Sequence, residues 1–240
     1  MTTSYDAAMH LDDVDLESLY DYPPTTRPWV RLNFVATVDG AAAGADGLTG
    51  GLGGEPDQRI FTLLRSLADV VVVGAGTART EGYGTVPPGA VDGALRERLG
   101  LATVPPIAVV SRSLDIPPSL LVPGQVVITV EDAPAPRLAQ LRRDVDVITC
   151  GFGDVHWPGV LDEFERRGWH RVLCEGGPDL HGSLSELDLV DDLCLTVAPV
   201  LVAGNAPRIA HGPVGVTHPM RLAHHLDADD VLLTRWVRLR

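Results

Sequence analysis

Five short runs dominate the pattern of this chain: VVVV (70–73), IAVVS (107–111), VVITV (126–130), VDVIT (145–149) and RVLCE (171–175). They are rich in β-branched residues, which suit a pleated strand. A half-exposed strand alternates apolar and polar side chains, whereas these are apolar on both faces and must be covered on both. Helical spacing separates them. EPDQRIFTLLRSLA (55–68) opens on Glu55-Pro56, as a first helical turn does, and WPGVLDEFERRG (157–168) closes on Gly168, a C-terminal cap. The pattern predicts an α/β fold, with WVRLNFVAT as its first strand. The last quarter differs. DDLCLTVAPVLV and MRLAHHLDADDVLLTRWVRLR hold no comparable helix, and 227–230 read as a turn between two strands. The sheet is therefore expected to be mixed, with antiparallel strands at its C-terminal end. DLCLTVAPVLV and VLLTRWVRL are expected at the end of that sheet, where exposed apolar edges favour a homodimer.

Residues 1–28 read as an N-terminal extension running into the proline-rich DYPPTTRP, and 29–240 as one domain. With 240 residues, 45% of them hydrophobic, a sizeable core needs no disulfide or metal. The net charge of −13 argues against nucleic acid and anionic membranes as partners. Small anions remain open, because backbone N–H groups can bind phosphate inside an acidic protein. The three cysteines, Cys150, Cys174 and Cys194, form no CxxC pair, which points to reduced thiols; Cys174 and Cys194 fit the core of strands. The eight histidines have no metal-ligand spacing, so no metal is expected; His224-His225 should place one ring in and one out. The acidic start lacks the apolar stretch of a secretion signal, and no segment suits a membrane span, so the expected location is cytoplasmic.

Three glycine-rich pieces point to a ligand. In DVVVVGAGTARTEGYG (69–84) a strand runs directly into Gly74-x-Gly76. The dinucleotide fingerprint G-x-G-x-x-G fails, because Arg79 occupies the third glycine's place. Alone, the pair is equally a tight strand-to-helix turn. Its position argues for more, since ligands in α/β sheets bind beyond the carboxyl ends of strands. Thr77 can cap the next helix. RVLCEGGPDLHGSL repeats the arrangement, with Glu175, Gly176 and Gly177 after a buried strand and Pro178 at a helix start. Two such junctions in one domain suggest a pyrophosphate between them. The third piece, DGAAAGADGLTGGLGG (39–54), is too long for a plain connector; it is either functional or a surface loop.

NFVATVDG (33–40), LLRSLAD (63–69), VVVGAGTARTEGYG (71–84) and EGGPDLHGSL…LVDDLCLTVAPVLVAG (175–204) stand in an order and spacing that resembles the pyrimidine reductases of riboflavin biosynthesis. The resemblance covers about residues 29–240. It implies a dihydrofolate-reductase-like three-layer α/β/α fold with a mixed, mainly parallel sheet, and NADPH as cofactor. It also implies a phosphorylated heterocycle as substrate, a ribosylamino-pyrimidine reduced to its ribitylamino counterpart. Val35, Gly51, Gly74, Gly76, Thr77, Glu81, Gly176, Gly177, Pro178, Asp179 and Leu180 would contact the cofactor, with Ser111 and Arg112 near its 2′-phosphate. Asn33, Thr49 and Arg65 would contact substrate, Arg65 as a cation for phosphate. Asp39 and Glu175 would be catalytic, Asp39 assisting ring opening and Glu175 meeting the pyrimidine edge. On the residues alone, Asp39-Gly40 has the lesser alternative of a plain turn, Arg65 is equally a surface ion pair, and Tyr83 is a loop-closing residue or a cofactor contact.

The chain departs from the family pattern. Asn33 stands where the bifunctional members carry lysine. Pro88 occupies the place of a second phosphate-binding arginine, leaving Arg79 as the nearby cation. The zinc signature of the deaminase half cannot be assembled from isolated cysteines. Two alternatives stay open: reduction of another heterocycle such as dihydrofolate, and a non-catalytic NADP-binding module.

Overall fold

The five apolar runs become adjacent strands in the middle and one end of a single sheet. The computed structural model describes residues 9–240. In chain order the elements are β1 (Met9–His10), α1 (Leu16–Tyr20), β2 (Trp29–Thr37), α2 (Gly54–Leu67), β3 (Val70–Gly74), α3 (Ala75–Thr80), α4 (Gly93–Arg98), β4 (Ile107–Val110) and β5 (Val126–Thr129). There follow α5 (Ala135–Leu141), β6 (Asp146–Thr149), α6 (Trp157–Arg166), β7 (Arg171–Cys174), α7 (Pro178–Glu186), β8 (Asp192–Ala198), β9 (Met220–Ala228) and β10 (Val231–Arg238). The sheet order is β1-β9-β10-β8-β2-β7-β3-β4-β5-β6. Strands β8 to β6 in that order are all parallel; β10 runs antiparallel to both β8 and β9.

Alternate valines explain the layers. Val71 and Val73 of β3 belong to one buried cluster with Ile60 and Leu64 of α2, Leu95 of α4 and Leu138 of α5. Val70 and Val72 face the other way, onto Val160 and Phe164 of α6 and Leu180 and Leu184 of α7. This is the three-layer arrangement expected of strands apolar on both faces. The predicted turn between the last strands has Asp229 and Asp230 at φ 52° and 64°, the left-handed pair that a two-residue hairpin loop requires.

One premise is corrected. β8 and β10 are interior strands, because β9 and the short β1 lie outside them and β1 pairs in parallel with β9 through Met9↔Leu226. The stretch VLV at 200–202 leaves the sheet after Ala198 and enters a long loop. Leu11, Tyr20 and Tyr22 are buried in the core. Beneath them Arg31 and Arg235 both pair with the Asp192 carboxylate, at 2.9 and 2.7 Å. Burial alone would raise the Asp192 carboxyl, but the two guanidiniums outweigh it and hold it below the ordinary range. No helix among the described residues is long and apolar enough to cross a membrane.

Candidate functional site

The carboxyl ends of β3 and β7 carry the two predicted glycine turns, and the turns meet. The Gly74 amide donates to the Gly176 carbonyl at 2.7 Å. A Cβ on Gly177 would lie 2.3 Å from Thr77 Oγ1, and one on Gly74 only 3.4 Å from the Gly177 nitrogen. Gly176 takes φ 115°, and the Gly176–Gly177 peptide is cis. Side chains are therefore kept out so that the two backbones can touch, and α3 and α7 both start at this junction. A Cβ on Gly76 would meet nothing within 4 Å, so the first turn of α3 faces open space.

Beside the junction lies a cavity of about 480 Å³. Asn33, Phe34 and Val35 of β2 form one wall, and Asp57, Gln58, Phe61 and Arg65 of α2 another. Thr77, Glu81, Tyr83, Glu175, Gly177, Pro178 and Thr49 close it. Arg65 and Glu175 pair through two bonds, Nε to Oε1 and Nη2 to Oε2, each 2.7 Å. The Tyr83 hydroxyl donates to Glu175 Oε2 at 2.9 Å, and the Arg65 guanidinium stacks 4.1 Å from the Phe61 ring centre. Burial pushes the Tyr83 hydroxyl well above its usual range, with the Glu175 charge adding to it, so Tyr83 stays a donor. Glu81 accepts from the Thr49 amide at 3.1 Å and so ties the glycine-rich 39–54 loop across the mouth.

The model of the RibD C-terminal domain matches residues 28–233, most of the chain. The protein belongs to the RibD C-terminal domain family. The chain is 32% identical over 187 residues to the 2,5-diamino-6-ribosylamino-4(3H)-pyrimidinone 5′-phosphate reductase of Methanothermobacter thermautotrophicus, covering 76% of this chain and 82% of that protein. The reductase of the same name from Archaeoglobus fulgidus is 25% identical over 191 residues, covering 78% and 87%. Among solved structures, a pyrimidine reductase-like protein from Corynebacterium diphtheriae superposes with a TM-score of 0.82 at 26% identity, covering 93% of this chain and 98% of that one.

The chain brings only part of the predicted set to its cavity. Asn33, Val35, Thr49, Arg65, Thr77, Glu81, Glu175, Gly177 and Pro178 line it. Gly74 and Gly176 stand just behind, joined to each other. Asp39 lies outside the wall: its carboxylate accepts from the Ala203 amide at 2.7 Å and from Thr37 Oγ1, which anchors the loop after β8. Gly51 is exposed beyond the rim. Asp179 points to solvent and pairs with His211, and the Leu180 side chain is in the core. Ser111 is buried at the end of β4, while Arg112 is exposed and pairs with Asp154 at 2.5 Å.

One local expectation is corrected. Thr77 does not cap α3: the helix starts at Ala75 with Gly74 as its cap, so Thr77 sits inside the first turn and turns its hydroxyl to Gly177. Arg79, the nearby cation, is not among the cavity's lining residues and pairs with Asp115 at 3.2 Å. Sequence reasoning also missed Asp57, Gln58 and Phe61. The spacing Asp57, Phe61, Arg65 repeats every four residues and places all three on one side of α2, which is the signal the sequence carries for them.

Proposed function

We propose that this domain is an NADPH-dependent reductase of a ribosylamino-pyrimidine 5′-phosphate, acting in riboflavin biosynthesis. The observation that carries this is the direct contact of the two glycine turns at the rim of a cavity holding a part-buried Arg65–Glu175–Tyr83 cluster. The residues present fit a dinucleotide. The bare backbone at Gly76 and Gly177 offers approach for a diphosphate, and the nine-residue α7 starts beside it with its dipole favouring negative charge. Ser111 and Arg112 would meet the 2′-phosphate, which requires Arg112 to leave Asp154. When bound, the nicotinamide supplies the hydride.

The chain's own residues hold the substrate. Glu175 has both oxygens engaged by Arg65 and Tyr83, which fixes the carboxylate in one orientation toward the cavity. Arg65 has one terminal nitrogen outside that pair and would use it for the substrate. Asn33 and Thr49 offer neutral hydrogen-bonding groups to the heterocycle. The names of the relatives from Methanothermobacter thermautotrophicus and Archaeoglobus fulgidus support this substrate class. A cytoplasmic location accompanies the reading. A homodimer is proposed through the partly exposed sheet face where Leu232 and Trp236 of β10 lie beside Val197 and Leu193 of β8; light scattering in solution tests it.

The function is tested by following NADPH absorbance with purified protein and the ribosylamino-pyrimidine phosphate. Oxidation that depends on the pyrimidine is the expected result. Turnover of dihydrofolate alone transfers the assignment to another heterocycle, and tight NADPH binding without any turnover makes the domain a binding module.

A further inference from the structure

One acidic side chain in the cavity wall has no part in the contacts assigned above. Asp57 stands in the first turn of α2, one turn ahead of Phe61 and two ahead of Arg65. Its Oδ1 accepts from Thr196 Oγ1 at 2.6 Å. Thr196 is buried on β8 directly opposite Val35 of β2, so a neighbouring strand holds the carboxyl in place. Gly53 leaves room for it: a Cβ there would lie 2.3 Å from the Asp57 Cβ.

No salt bridge reaches Asp57 among the described residues. The other ionisable groups on this cavity are Arg65, Glu81, Tyr83 and Glu175. Arg65 gives two nitrogens to Glu175, Tyr83 gives its hydroxyl to the same group, and Glu81 is held by the Thr49 amide. None of them supplies a cation to Asp57. Burial pushes the Asp57 carboxyl above the usual carboxylate range, and the Thr196 hydroxyl draws it only partly back. Asp57 thus keeps its proton more readily than an exposed aspartate, and its second oxygen remains available. Asp39, by contrast, has its carboxyl lowered, first by Thr37 and then by the Ala203 amide.

We propose that Asp57 is the proton donor of the reaction and delivers its proton to the ring oxygen of the ribosylamine. This rests on the reductase reading above. The O–H bond forms as the C1–O bond breaks, with its electron pair left on the oxygen that becomes the 4′-hydroxyl. The lone pair of the exocyclic nitrogen closes a C=N bond to C1, and the cation so formed accepts the hydride. Asp57, left as a carboxylate, takes one proton from solvent. Each turnover thus consumes one hydride and one proton, and the Thr196 hydroxyl stabilises the carboxylate between the two transfers.

The test uses Asp57→Asn, which preserves shape and the Thr196 contact, beside Thr196→Val. With the pyrimidine phosphate and NADPH, Asp57→Asn is expected to lower kcat by about 10²–10⁴-fold. KM should stay within about threefold, as for a group whose interaction is made only in the transition state. Wild-type kcat/KM should fall on the alkaline side of a carboxyl titration. Thr196→Val should move that limb to higher pH, because the donor that favours the charged form is gone. In the ligand-free protein, a carbon-13 carboxyl titration should show one aspartate titrating above the others, missing in Asp57→Asn and raised further in Thr196→Val. An Asp57→Asn enzyme with more than about a third of wild-type kcat overturns the proposal, as does a pH limb indifferent to Thr196→Val. Wild-type protein silent toward the pyrimidine removes the substrate reading itself, and the wild-type arm alone reveals that case.

Discussion

Replacing Gly177 with alanine tests the junction on which the cofactor assignment depends. The backbone does not resist the change: Gly177 has φ −87°, which alanine adopts freely. The whole effect is therefore steric. The new Cβ would sit 2.3 Å from Thr77 Oγ1 and 3.7 Å from Thr77 Cβ. Overpacking of this kind costs about 1–3 kcal/mol. The lower end applies if Thr77 swings its hydroxyl to the other rotamer available to a helical threonine. At about 2–4 °C per kcal/mol for a chain of this size, Tm should fall by about 2–12 °C. Thr77→Ala removes the colliding oxygen, so the double variant should regain stability, with a coupling of about 0.5–3 kcal/mol between the two sites. Thermal unfolding by circular dichroism reads this cycle. Fluorescence titration with NADPH should show weaker binding in Gly177→Ala, about tenfold for each 1.4 kcal/mol of strain that the bound state cannot relieve. A single variant within about 1 °C of wild type, or a double variant whose losses simply add, refutes the close approach of the two turns.

Other outcomes follow from the same geometry. Arg65→Ala leaves Glu175, whose side chain is 2% exposed, as a buried carboxylate without a cation, and should cost about 3–5 kcal/mol in urea unfolding; a loss under about 1 kcal/mol contradicts the bidentate pair. Asp154→Asn should release Arg112 and lower KM for NADPH while leaving NADH unchanged; equal effects on both cofactors place the 2′-phosphate elsewhere. His181 and His224 are both held down to about 4, first by burial, so the unfolded chain binds more protons than the folded one below the ordinary histidine value of 6.5. Stability is therefore full above pH 6.5 and falls as pH drops toward 4, by up to about 3 kcal/mol for each ring. Denaturation across that window should be flatter in His181→Gln, and an unchanged slope counts against the burial of that ring.

Much of the fold was legible because it rests on short-range pattern. Strands apolar on both faces demand two covering layers, and β3, β4, β5, β6 and β7 fell at the predicted runs. Gly168, with φ 72°, follows the last turn of α6 as a C-terminal cap should, and Pro178 opens α7. The strand-to-helix turns at Gly74 and Gly176 were visible for the same reason: a bare backbone after a buried strand is a local signal. What misled was order within the sheet. Residues 9–10 cover β9, and β9 covers β10, so apolar β8 and β10 needed no partner at their edges. A strand's own sequence carries no record of which strand lies beside it.

The candidate site divides along the same line. Sequence alone determined that the chain builds layered α/β structure with glycine turns above its buried strands, because those features follow from periodicity and from the space a backbone needs. Only the tertiary structure decided which charges meet. Glu175 takes Arg65 from 110 positions away, and Asp57 is held by Thr196 from 139 positions away. Asp39, which closed a promising motif, spends its oxygens on the loop near Ala203. An ionisable group's behaviour is set by burial and by the nearest opposite charge, and both are properties of the assembled fold.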